Sequence, residues 1–175
     1  RLNKVLTGAE RSAHLVHQLL TLARNETHAR REPLDLAELA RDVAREWTPR
    51  AMAAGVDLGY EGLEHLRLEG DALQLREALA NLIDNALRYT PRGSSVTLGV
   101  FARASAAELA VEDNGPGLTD EEMAHVFQRF WRASELPGGC GLGLAIVREI
   151  AHRHGGDARV ERALPHGLRV VLRLA

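Results

Sequence analysis

At 175 residues the chain has room for one ordinary domain and an additional element. A net charge of −2 and a pI near 6.5 argue against a basic nucleic-acid surface or a membrane-binding face. The single cysteine, Cys140, excludes an internal disulfide and any multi-cysteine metal site, and no apolar run is long enough to span a bilayer. Aromatic residues are only 4% of the chain, so a core must be built from Leu, Val, Ile and Ala.

Leu2, Val5, Ala9, Ser12, Val16, Leu19 and Ala23 recur at alternating steps of three and four. This spacing predicts one helix over residues 1–26 with the seam of a helical hairpin or coiled coil. The chain begins inside that pattern, as a piece cut from a longer protein would. Residues 27–34 are polar and predict a linker, with a domain over residues 35–175. Asp35, three residues before Glu38, predicts a helix cap, and Leu36, Leu39, Ala40, Val43 and Trp47 give the helix its apolar face. Pro49 is expected to kink or end it.

Short strands are predicted over residues 56–60 and 66–69. Leu75, Leu79, Leu82, Ile83 and Ala86 form the stripe of a strong helix. Strands follow around Val96–Val100 and Leu109–Val111. Thr119 and Glu122 predict a capping box, and Leu142, Ile146, Val147 and Ile150 a helix ended by Gly155 and Gly156. Val160 falls in a strand, and residues 168–174 alternate as the last one. The elements mix without a βαβ repeat. They predict an α+β fold, a two-layer sandwich with helices on one face of a mostly antiparallel sheet, preceded by the long N-terminal helix.

Three places carry chemistry. Asn81, Asn85 and Arg88 share one helix face, with Tyr89 beside it, and could meet a polyanion and a metal. A solvated face is the plainer alternative. Asp113 continues the period of Leu109 and Val111, so it points into the interior as its strand ends. A buried carboxylate needs donors, and capping the Asn114–Gly115 turn would also supply them. Gly139-Cys140-Gly141-Leu142-Gly143-Leu144 runs into a helix whose first amides could hold phosphate. No lysine follows these glycines, which excludes a Walker A loop, and no parallel βαβ unit surrounds them, which excludes a dinucleotide fingerprint.

In this order the segments resemble the sensor histidine kinases. Residues 80–86 (ANLIDNA) resemble their N box, residues 113–117 (DNGPG) their G1 box, residues 126–132 (VFQRFWR) their F box and residues 139–147 (GCGLGLAIV) their G2 box. Gly70-Asp71 and His154-Gly155-Gly156 also stand where that family has them, and the likeness covers residues 34–175. It implies the Bergerat fold shared with gyrase B and MutL, with ATP and Mg²⁺ as cofactors. Asn85 would offer its amide oxygen to Mg²⁺, which favours oxygen ligands. Asn81 and Arg88 would lie near the phosphates and Tyr89 near the nucleoside. Asp113 would accept the adenine amino hydrogen, so ATP would be preferred to GTP. Gly115 and Gly117 belong to the same binding set, and Gly141, Leu142, Gly143 and Leu144 would give amides to the phosphates. Residues 118–138 would form a lid anchored by Phe127 and Phe130, hinged at Gly138 and Gly139, with Arg132 reaching a phosphate.

Hydrolysing relatives carry a Glu where this chain has Asn81, a poor base, which points to phosphoryl transfer rather than hydrolysis. The acceptor of such a kinase is a histidine followed by an acidic residue. The residues after the eight histidines here are Leu, Gln, Ala, Leu, Val, Arg, Gly and Gly, so none fits, His14 and His17 included. The first helix resembles the second helix of a dimerisation hairpin, and the acceptor is expected upstream. The implied partners are that histidine-bearing dimerisation domain and a response regulator. The parent is expected to be a homodimer anchored in the inner membrane with this part in the cytoplasm. No nucleic-acid partner and no direct membrane contact are expected. Cys140, at a helix start, would carry a reactive thiol.

Overall fold

The computed structural model describes residues 30–133 and 140–175, together with Val16, which is helical and 55% exposed. The rest of the helix expected over 1–26, His14, His17, His28, and the hinge glycines Gly138 and Gly139 lie outside the described residues. Strand β1 (Glu32–Asp35) leads into helix α1 (Leu36–Ala54), then β2 (Asp57–Gly62), β3 (Arg67–Gly70) and α2 (Ala72–Tyr89). The hairpin β4 (Ser95–Arg103) and β5 (Ala106–Asp113) follows, then the short α3 (Asp120–His125), α4 (Gly143–Arg153), β6 (Asp157–Arg162) and β7 (Leu168–Leu174).

Five strands form one sheet in the order β2-β4-β5-β7-β6; only the β2–β4 pairing is parallel. Val96, Leu98 and Val100 on β4, Leu109 and Val111 on β5, and Leu168, Val170 and Leu172 on β7 point to one side and meet Leu75, Leu79, Leu82 and Ile83 of α2, and Ile146, Val147 and Ile150 of α4. This one aliphatic core is what the scarcity of aromatics requires. The α+β sandwich expected from the sequence is therefore the observed architecture.

The opposite side of the sheet carries charge. Arg159 contacts Glu108 at 3.0 Å and Glu161 at 2.6 Å, and Arg169 bonds Glu112 at 2.9 Å while lying over the Phe101 ring. Beneath these side chains Val171 and Ala110 are 0% and 1% exposed. The methylene stems supply the cover, and the charged heads stay in water.

Three expectations are corrected. Residues 32–34, read as the end of a linker, form β1 with Asp35, antiparallel to β3. Pro49 lies inside α1 and does not end it; Thr48 Oγ1 donates to Ala44 O, and the helix closes at Gly55, whose φ of +69° suits a left-handed cap. Phe130 does not anchor by its ring, which is 63% exposed; its backbone N–H donates to Gly141 O at 2.8 Å. Phe127 does pack on the core, with Arg148 over its ring.

Two caps are as the sequence implies, at Asp35 and Thr119, and a third, at Asp71, was not anticipated. Asp35 Oδ1 accepts from Ala37 and Glu38 amides at the start of α1, and Asp71 Oδ1 accepts from Leu73 and Gln74 at the start of α2. Thr119 and Glu122 form a reciprocal capping box on α3.

Candidate functional site

A cleft of about 310 Å³ opens between α2 and the start of α4. Its first wall is the polar face of α2. Asn81, Asp84, Asn85 and Arg88 are spaced by three, one and three residues, so their side chains share one stripe, with Tyr89 at its end. The apolar stripe of the same helix is wholly buried. One amphipathic sequence thus fixes both the core and the wall. Asn81 Nδ2 donates to Glu77 O at 3.0 Å. Arg88 Nη2 meets Asp84 Oδ2 at 2.6 Å. The Asn85 side chain has no hydrogen-bond partner among the described residues.

The second wall is Cys140, Gly141, Gly143 and Leu144. Leu142, the residue before α4, makes no side-chain cap bond, so the first amides of the helix remain for a ligand. Gly141 has φ +72°, and a Cβ there would lie 2.6 Å from the Phe130 carbonyl carbon. Only glycine lets the loop pass so close to the lid.

Asp113 closes one end of the cleft. Its side chain is 9% exposed, and Oδ1 accepts from Gly115 N at 2.9 Å and Leu168 N at 3.3 Å. Both bonds end on the same oxygen, which leaves Oδ2 for a ligand. Asp113 is both buried at the end of its strand and bonded to the Gly115 amide of the turn, and it lines the cleft. Burial pushes its carboxyl above the ordinary range, the two amides pull it back, and neighbouring Glu112 adds a smaller upward push. Gly117 stands beside it at φ +73°, where a Cβ would sit 3.0 Å from Gly167 O.

The lid side contributes Leu118, Glu122, Val126, Trp131, Arg132 and Ala133. Of the twelve residues assigned from the sequence, ten line the cleft. Gly115 and Leu142 do not. Gly115 spends its amide on Asp113, and Leu142 is 0% exposed because its side chain belongs to the core. The sequence reading missed Asp84 and Trp131 on the wall. Asp84 was open to discovery, since it lies three residues after Asn81 on the same helical stripe.

Residues 70–175 match the family described as histidine kinase-, DNA gyrase B- and HSP90-like ATPase. The chain belongs to this family. Within it the chain sides with the sensor histidine kinases. It is 39% identical over 166 residues to the sensor protein kinase PmrB of Pseudomonas aeruginosa, which covers 92% of this chain and 35% of that protein. The solved structure of the mycobacterial sensor histidine kinase MprB superposes with a TM-score of 0.71 at 32% identity, covering 82% of this chain and 96% of that one. Full-length ShkA in complex with AMPPNP superposes with a TM-score of 0.81 at 28% identity, over 92% of this chain and 35% of that one. The chain spans 35% of PmrB and 40% of the relative SenX3 of Mycobacterium tuberculosis. Among the described residues of this histidine kinase-like ATPase domain, no helix is long and apolar enough to cross a membrane.

Proposed function

We propose that this chain binds Mg-ATP in the cleft between α2 and α4 and donates the γ-phosphate to a histidine on a dimerisation domain. A response regulator aspartate then receives it. The observation that carries this reading is the polarity of the cleft. A buried carboxylate that can only accept stands near the Tyr89 end of the α2 wall, and the uncapped amides at the start of α4 stand near Asn81, with Arg88 and Arg132 also on the lining. Adenine fits the first and a triphosphate the second.

Asp113 Oδ2 accepts the adenine amino hydrogen, and Tyr89 lies along the nucleoside. The amides of Gly141, Gly143 and Leu144 and the two arginines hold the phosphates. Asn85 presents a free hard oxygen, which suits Mg²⁺. The ion, when bound, neutralises charge on the β- and γ-phosphates. Asn81 is an amide tied to its own helix, so it does not activate water. Positioning and electrostatics are what phosphoryl transfer mainly needs. Residues 1–26 would be the second helix of the dimerisation hairpin, residues 27–34 the connection and residues 35–175 the catalytic domain. The parent is then a homodimeric sensor anchored in the inner membrane, with this part in the cytoplasm.

The test is transfer in trans. The chain is mixed with γ-labelled ATP, Mg²⁺ and a two-helix hairpin that carries an acceptor histidine. The expected result is acid-labile label on the hairpin and none on the chain alone. ATP binding without label would make the domain a nucleotide sensor. Phosphate release without label would make it a hydrolase. Either result overturns the kinase reading.

A further inference from the structure

The wall that faces the triphosphate carries a carboxylate whose role the assignment above leaves open. Asp84 is 39% exposed at its side chain, lines the cleft, and holds the guanidinium of Arg88, itself 24% exposed, at 2.6 Å. Among the described residues, the charged groups on the wall are three carboxylates, Asp84, Asp113 and Glu122, against two guanidiniums, Arg88 and Arg132. A site with one net negative charge cannot attract a tetra-anion by its side chains alone. Glu122 is occupied at the lid, where Oε2 accepts from Thr119 N, and Asp113 belongs to the far end. Asp84 is the carboxylate next in sequence to Asn85. It also pairs with Arg88, one of the two guanidiniums on the lining.

We infer that Asp84 makes nucleotide binding depend on the divalent cation, acting as the selectivity residue for metal-nucleotide over free nucleotide. Without metal, Asp84 repels the phosphates and competes with them for Arg88. With metal, the cation Asn85 would hold offsets the Asp84 charge, and Arg88 is released to phosphate. A carboxylate suits a hydrated Mg²⁺, which keeps several waters and accepts hard oxygen neighbours. The familiar alternative is an i,i+4 ion pair that only supports the helix.

The inference rests on the proposed nucleotide site, and calorimetry separates the two. AMPPNP is titrated into the wild-type chain and Asp84→Asn, in excess Mg²⁺ and in EDTA. The quantity read is the factor by which Mg²⁺ tightens binding. Asp84→Asn is expected to bind more tightly than wild type in EDTA, and its Mg²⁺ factor is expected to fall about tenfold. Asp84→Glu, which keeps the charge, should retain most of the factor, and Asp84→Ser should behave as Asp84→Asn does. Unchanged melting temperatures without ligand establish that the variants fold. An unchanged Mg²⁺ factor, or affinities that fall equally in both conditions, would overturn the inference and leave Asp84 as a strut for Arg88. If the wild type binds neither form, the nucleotide reading itself fails.

Discussion

Asp113→Asn is expected to lower ATP affinity about 100-fold, equivalent to ~2.7 kcal/mol, while the domain stays folded. The geometry explains why fold and binding separate. The structural work of Asp113 is done by one oxygen, which accepts from Gly115 and Leu168. An asparagine can turn its own oxygen to the same two amides. Its NH₂ group then replaces Oδ2 and meets the adenine amino group donor to donor. The wild type should reject GTP by at least the same margin, because guanine sets a carbonyl against the carboxylate. Calorimetric titration with ATP and GTP reads both effects. Equal binding of the two nucleotides, or an ATP affinity that Asp113→Asn does not change, would mean that the base does not sit at this end of the cleft.

The second large effect concerns stability. His154 is 1% exposed and joins two helices that build the cleft. Its Nδ1 lies 2.8 Å from Ile150 O near the end of α4, and its Nε2 lies 3.0 Å from the Asp71 amide at the start of α2. A ring that accepts at Nε2 and donates at Nδ1 is neutral. Burial is the main reason its pKa falls below the ordinary 6.5, with Arg31 and Arg153 also lowering it and Ile150 O and Asp71 acting the other way. His154→Ala leaves the Asp71 amide unpaired beside a cavity and is expected to cost about 3 kcal/mol.

The pH dependence follows from the direction of the shift. The unfolded chain takes up a proton at this imidazole as pH falls past 6.5, and the folded chain does so only at lower pH. Stability tied to His154 is therefore complete above 6.5 and is lost between that value and the lowered folded one. The steepest loss is ~1.4 kcal/mol per pH unit. Urea unfolding at pH 7.5 and 5.5 should show a steeper decline in the wild type than in His154→Ala. Parallel declines would show that the ring is not held neutral.

Much of this architecture was legible in the sequence because period and burial coincide. The stripe from Leu75 to Ala86, the alternation ending at Asp113 and the Thr119–Glu122 box each carry their own local signal. β1 was missed because Leu34 is its only aliphatic residue other than Pro33, and its partner β3 lies over 30 positions away. Pro49 misled because its ring removes a single helical bond, the one to Arg45 O, and the helix carries on past it to Ala54. Phe130 misled because aromatic character says nothing about which atom makes the contact, and here it is the backbone. The link from His154 to Asp71 spans 83 positions and has no periodic signature at all.

The charged side of the sheet has a colloidal consequence. Its two border strands, β2 and β6, have backbone groups that further strands could match, and such borders are the usual sites of runaway strand addition. On β6, Asp157, Arg159, Glu161 and Arg162 interrupt the apolar row, and β2 begins with Asp57 and carries Glu61. A docking strand would have to strip water from these charges. The arginine stems above Val171 and Ala110 likewise deny a flat greasy surface to another molecule. The domain can therefore be held at high local concentration beside its neighbours without its sheets fusing.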